Sequence, residues 1–142
     1  MAESFRFELV SPERSLASLE ATEVQIPGAN GDMTAMANHA PVIATLRPGV
    51  VRVKTADGAE RDFVVTGGFA DLGPGGASVL AERAIAREDC TQELIDELVT
   101  KAREDVAKAG PDAADAAAKL LADMVAAGEQ IGIPTTSRNA AA

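Results

Sequence analysis

The chain has 142 residues, 46% of them apolar, with 4 Phe and neither Trp nor Tyr, so a core is within reach but must be built mainly from Val, Ile, Leu and Ala. Against 22 Asp and Glu stand 13 Lys and Arg, a formal charge of −9 that opposes binding to nucleic acid or to an anionic lipid surface, since both reward clustered cations. Cys90 is the only Cys and His39 the only His, which excludes an internal disulfide and an ordinary zinc site.

Taken in chain order, Phe5, Phe7 and Leu9 alternate with Arg6 and Glu8, the period of a half-buried strand that Pro12 ends. Thr22, Val24 and Ile26 alternate with Glu23 and Gln25 as far as Pro27-Gly28, and Asn30-Gly31-Asp32 supplies residues that tolerate φ > 0 in a tight reversal. Short apolar or β-branched runs follow from Val42 to Leu46 and from Val50 to Thr55, separated by Pro48-Gly49. Asp57-Gly58 is a hairpin signal leading into Asp62 to Thr66, and Gly73-Pro74-Gly75-Gly76 separates Phe69 to Leu72 from Ala77 to Ala81. Many short strands, regular turns and no helical period before Ala84 argue for an antiparallel β-sandwich or flattened barrel.

After Ala84 the period changes. Leu94, Ile95, Leu98, Val99, Ala102 and Val106 lie along one helical face, with Asp89 as the expected cap, Gln92 reaching back to it, and Glu97 to Lys101 and Glu104 to Lys108 as pairs on the wet side. Gly110-Pro111 is expected to stop this helix. A second runs from Asp112 to Ala127, with Ala113, Ala117, Leu120, Leu121 and Met124 on its apolar face and Gly128 at its end. So short a link folds the two back as an antiparallel hairpin. The expected organisation is a β-sandwich over residues 1–84, a helical hairpin over 85–130 and a loose tail over 131–142.

The residues offer little for catalysis. A nucleophilic triad would hang on His39 alone, and Asn38-His39-Ala40-Pro41 reads more naturally as a rigid polar corner. Gly73-Pro74-Gly75-Gly76 precedes a strand and carries no Lys-Ser/Thr, so it is a turn rather than a phosphate cradle. No catalytic, cofactor-binding or metal-ligating set is assigned. No apolar run has the length of a bilayer span, and the N-terminus shows neither a signal core nor an Arg-rich transit segment, so direct membrane insertion is not expected. On residues alone, a protein that works through its surfaces leads. A small ligand-binding β module with a helical appendage and an enzyme using His39 stay open.

Seven motifs in order carry a resemblance: Leu9-Val10-Ser11-Pro12-Glu13, Ile26-Pro27-Gly28, Gly31-Asp32, His39-Ala40-Pro41, Leu46-Arg47-Pro48-Gly49-Val50, Gly67-Gly68-Phe69-Ala70 and Val79-Leu80-Ala81-Glu82. Through them the chain resembles the epsilon-subunit family of F-type ATP synthases, counterpart of the mitochondrial delta subunit. The resemblance implies a noncatalytic rotor subunit of the central stalk that links the gamma subunit to the c ring of a proton-translocating enzyme. It would sit peripherally on the cytoplasmic face of a bacterial inner membrane. It further implies a c-ring contact at Asn30, Gly31, Asp32 and Met33, with Asp32 facing a basic group, and gamma contacts at Ser11, His39 and Ala44.

In the family the hairpin can also extend towards the alpha/beta catalytic head and block hydrolysis, using basic residues on the second helix. Here that helix has only Lys119 against Asp112, Asp115 and Asp123, so weak inhibition or none is expected. Some members bind ATP through an Ile/Leu-Asp-x-x-Arg-Ala motif. Ile95-Asp96 begins one, but Val99-Thr100 stands where Arg-Ala would be, which removes the guanidinium fork a phosphate needs.

Overall fold

The alternation at the N-terminus becomes strand β1 (Phe5–Val10), with Phe5, Phe7 and Leu9 buried and Arg6 and Glu8 in water. In the computed structural model, which describes residues 3–38 and 40–135, eight further strands follow. They are β2 (Ser15–Gly28), β3 (Gly31–Met36), β4 (Val42–Leu46), β5 (Gly49–Thr55), β6 (Glu60–Val65), β7 (Gly68–Gly73), β8 (Gly76–Ala81) and β9 (Ala84–Ala86). Among the described residues two α-helices follow, α1 (Gln92–Lys108) and α2 (Ala114–Gln130). By packing the chain divides into two units, Met1–Arg87 and Glu88–Ala142.

In the first unit the strands run in the order β1-β8-β7-β4-β2-β5-β6-β9, with β3 on β2 and β1 also on β2. The long strand β2 belongs to both halves. Its first part pairs with β1, from Phe5 opposite Ala21 to Leu9 opposite Ala17, and its second part pairs with β3 and β5. This closes a flattened ring around Phe7, Leu9, Ile26, Val53, Phe63 and Val79, all essentially inaccessible to water. Each of the larger ones contributes about 1.5–3 kcal/mol on full burial.

The sandwich is antiparallel except at one seam. Strand β1 runs parallel to β8, with Phe7 opposite Ala77 and Val10 opposite Leu80, where an antiparallel arrangement throughout was expected. The two strands are joined through the whole body of the unit, so no hairpin dictates their relative direction. The sandwich also continues past Ala84, because Ala84–Ala86 pairs with β6 as a last strand.

Helix α1 begins later than Asp89. Residues Arg87–Asp89 form a 3-10 turn, and the cap is Thr91, whose hydroxyl accepts from the Leu94 amide at 3.1 Å. Ile95, Leu98 and Val99 are buried on α1, and Met124, Ala127 and Gly128 on α2, so burial concentrates where α1 starts and α2 ends. Leu120, expected on the apolar face, is 49% exposed.

Gly128 does not end α2 but lies inside it. A Cβ there would stand 2.9 Å from Ile95 Cγ2 and 2.8 Å from the Ile133 carbonyl, so glycine lets the helices and the following segment close. That segment is held rather than loose as far as Thr135. The Ile133 amide donates to the Gly128 carbonyl at 2.9 Å, Gln92 Nε2 to the Pro134 carbonyl at 2.7 Å, and Thr135 Oγ1 to Asp96 Oδ1 at 2.8 Å. The remainder of the expected tail, 136–142, lies outside the described residues.

Gly128→Ala gains about 1 kcal/mol of helix propensity, yet the two close contacts cost more, and a net loss of about 1–2 kcal/mol is expected. A lowered urea midpoint for loss of helical signal checks this, and an unchanged or raised midpoint contradicts it.

Candidate functional site

The pleat of β1, β8, β7 and β4 sends alternate residues to opposite faces, and here both faces carry large apolar side chains. The inner row crosses the sheet as Leu9, Val79, Ala70 and Ala44. The row beside it points outward as Val10, Leu80, Phe69 and Thr45, with Ile43 on the same side one step along β4. Leu80 is 51% exposed, Phe69 57% and Ile43 76%. Side chains of this size in water on neighbouring strands mark a docking surface more than a fold requirement.

The outer residues of β2, β5 and β6 contrast with this. Gln25, Arg52 and Asp62 form one cross-strand row, and Glu23, Lys54 and Glu60 the next. Arg52 grips Asp62 through two parallel bonds, Nε at 3.0 Å and Nη2 at 3.2 Å. The Asp62 hydrogen bond and charge hold that guanidinium still more firmly protonated than usual. Charges matched in this way satisfy one another and offer a partner little.

A second feature is the β2–β3 turn. Gly28 and Gly31 form its last strand pair, Gly31 has φ +138°, and Ala29 and Asn30 make the exposed tip. Of the four residues expected to face a c ring, Asn30, Gly31 and Asp32 reach the surface together. Met33 turns under the turn, half-buried and packed against the core. The Asp32 carboxylate already has a partner, the guanidinium of Arg47.

Of the residues expected to face gamma, Ser11 lies in the tight turn after β1, its amide bonded to the Arg14 carbonyl at 2.9 Å. Ala44 is on the inner side of β4, half-buried opposite Ala70, so its neighbours Ile43 and Thr45 are what β4 presents. His39 lies outside the described residues. Reading the sequence by turns and motifs missed Ile43, Phe69 and Leu80. The signal was parity: within Ala70 and Leu72, and within Val79 and Ala81, the inward positions are already filled, which leaves Phe69 and Leu80 outside.

Residues 4–87 match the family described as ATP synthase, Delta/Epsilon chain, beta-sandwich domain. The chain is 54% identical over 85% of its length to the ATP synthase epsilon chain of Jannaschia sp. (strain CCS1), of which the match spans 91%. It is 47% identical to the ATP synthase epsilon chain of Paracoccus denitrificans (strain Pd 1222), over 98% of each.

The chain belongs to the delta/epsilon family of ATP synthase chains.

As an epsilon-type member it is a noncatalytic subunit of the rotary complex. The fold is also that of a chain in the Euglena gracilis mitochondrial ATP synthase, in a structure of OSCP, F1 and c ring, with TM-score 0.67, 19% identity and coverage of 85% of this chain and 77% of that one. A chain of the Tetrahymena thermophila mitochondrial central stalk and c ring matches at TM-score 0.59 and 15% identity, over 90% of this chain and 96% of that one. No helix among the described residues is long and apolar enough to cross a membrane.

Within the hairpin, the site where some epsilon chains place a phosphate-binding arginine is closed. Val99 is fully buried, and Asp96 accepts from Thr135 at 2.8 Å and from Gln92 at 3.3 Å. ATP titrated into the full-length protein is expected to give no saturable heat of binding. A saturable isotherm would mean that another group supplies the fork.

Proposed function

We propose that the first unit couples the gamma subunit to the c ring, gripping gamma with the outer face of β4, β7 and β8 and meeting the ring with the β2–β3 turn. The observation that carries this reading is the strip of Ile43, Phe69 and Leu80, which stays more than half exposed and has the chemistry of a desolvated interface core. Ser11, in the turn after β1, and Ala44, in β4, flank β8 and β7 in the strand order, which is consistent with gamma lying across these strands. His39 joins them in this proposal. The subunit then sits peripherally at the cytoplasmic face of a bacterial inner membrane and transmits torque through contact rather than chemistry.

Changing Phe69→Asp or Ile43→Asp places a charge where the partner's apolar surface must close. Affinity for purified gamma is expected to fall about tenfold or more, with the unfolding midpoint of the free protein little changed. Wild-type affinity in both variants would remove the basis of the gamma assignment.

The hairpin has little to offer an acidic surface of the alpha/beta head. Lys119, the one cation of α2, is paired with Asp123 at 3.1 Å. Deleting everything after Ile85 is therefore expected to raise ATP hydrolysis by the assembled enzyme less than about twofold, because like charges oppose docking. A large activation would show that the hairpin inhibits despite its charge.

A further inference from the structure

The β2–β3 turn is built with almost no side-chain support of its own. Its last pair, Gly28 and Gly31, has no side chains, and Gly28 admits none, since a Cβ there would lie 2.5 Å from the Gly31 carbonyl. What orients the tip comes instead from the β4–β5 corner. There Arg47 donates from Nη1 to the Gly28 carbonyl at 2.5 Å and from Nη2 to the Asp32 carboxylate. The Arg47 amide donates to the Pro27 carbonyl at 3.0 Å, and the Ala29 amide to the Thr45 carbonyl at 2.8 Å. One guanidinium thus holds a residue on each side of the tip, Gly28 and Asp32, fixing the angle at which Ala29 and Asn30 leave the sandwich.

The exposures of the two partners say which of them depends on the other. Arg47's side chain is 24% exposed and Asp32's 75%. The covered cation needs a counter-charge, whereas the carboxylate would be well solvated without one. A charge-assisted bond to a backbone carbonyl is also among the stronger neutral-to-ionic contacts, and only Arg has the planar fork to reach carbonyl and carboxylate together.

We infer that Arg47 is the positioning residue of the c-ring-facing turn, and that Asp32 serves it as an internal counter-ion rather than reading a cation on the ring. The inference rests on the proposed ring contact, and it changes that contact's chemistry. The tip presents backbone, Asn30 and a neutralised ion pair, so recognition runs through shape and hydrogen bonds, and its salt dependence is weak.

The test compares Asp32→Asn, Arg47→Met, Arg47→Lys and the Asp32→Asn/Arg47→Met double variant of the full-length protein. Two readouts are taken: hydrogen exchange of the Ala29 amide in the free protein, and affinity for purified c ring carrying gamma. Arg47→Met is expected to speed Ala29 exchange about tenfold, Asp32→Asn less, and the double variant no more than Arg47→Met, while core amides such as Val24 stay protected. Arg47→Lys, which keeps the charge but not the fork, is expected to restore part of the protection. Ring affinity should fall in the same order, by about three- to tenfold, with Asp32→Asn adding nothing in the Arg47→Met background.

If Asp32→Asn weakens ring binding by the same factor whether or not Arg47 is present, the carboxylate reads the ring directly and the inference is overturned. Unchanged Ala29 exchange in Arg47→Met overturns it as well. Faster exchange with full ring affinity in every variant upholds the brace and overturns the ring contact on which it rests.

Discussion

The alternation of side chains across β1, β8, β7 and β4 is the constraint on which the rest of the molecule depends. Leu9, Val79, Ala70 and Ala44 line the inner row, and Val10, Leu80, Phe69 and Thr45 line the outer one. A slip of one residue in any of these strands would exchange the rows. Core and outer apolar strip are therefore a single commitment, made by register. Gly68 secures it: at φ +133° it brings β7 so close to β8 that a Cβ would fall 2.0 Å from the Leu80 carbonyl, the carbonyl of a residue whose side chain forms part of the outer strip. The backbone approach that defines the pairing also fixes where Leu80 and Phe69 stand.

The second commitment is made where β2 crosses the β4–β5 corner. Gly28 pairs with Leu46 there, and a Cβ on Gly49 would stand 2.7 Å from the ring of Pro27. Proline and glycine meet because nothing larger than glycine fits against the ring. Closeness at this point has a consequence at the surface. It brings Arg47 within reach of Gly28 and Asp32, so the corner that closes the sandwich also aims the β2–β3 turn.

What the sequence disclosed follows from which contrasts it contained. Strands with strong alternation, such as Phe5–Val10, and strands bounded by Pro-Gly or Asp-Gly were legible, because period and turn chemistry agree there. Residues 15–21 were not, since Ser, Ala and Glu dilute the alternation and the strand is held by its pairing with β1. Strand β3 was hidden for the same reason, with Thr and Ala between its methionines, and β9 is too short to show a period at all. At the helix ends, Thr91 displaced Asp89 as cap because α1 starts after the 3-10 turn. Gly128 looked like a stop signal, yet it answers to packing against Ile95. The β2–β3 turn was readable from its glycines. The apolar strip was not, because Phe69 and Leu80 look like core until each strand's facing is known.

Net charge and binding surface now fit together. A formal charge of −9 keeps the protein soluble and discourages casual contact with phosphates and anionic lipids, yet a uniformly acidic surface would also repel other acidic surfaces at close range. The two surfaces assigned to partners escape this. The row of Leu80, Phe69 and Thr45 carries no charge, although Ile43 stands opposite Asp71 in the next, and at the turn Arg47 cancels Asp32. Most of the excess acid resides elsewhere, including α2, whose single lysine is already matched by Asp123. The proposed contacts would hold through every turn of a rotor, since buried apolar area and a pre-paired charge loosen little with ionic strength. Acidity then acts on the free faces, where it keeps this chain from binding what it should only pass.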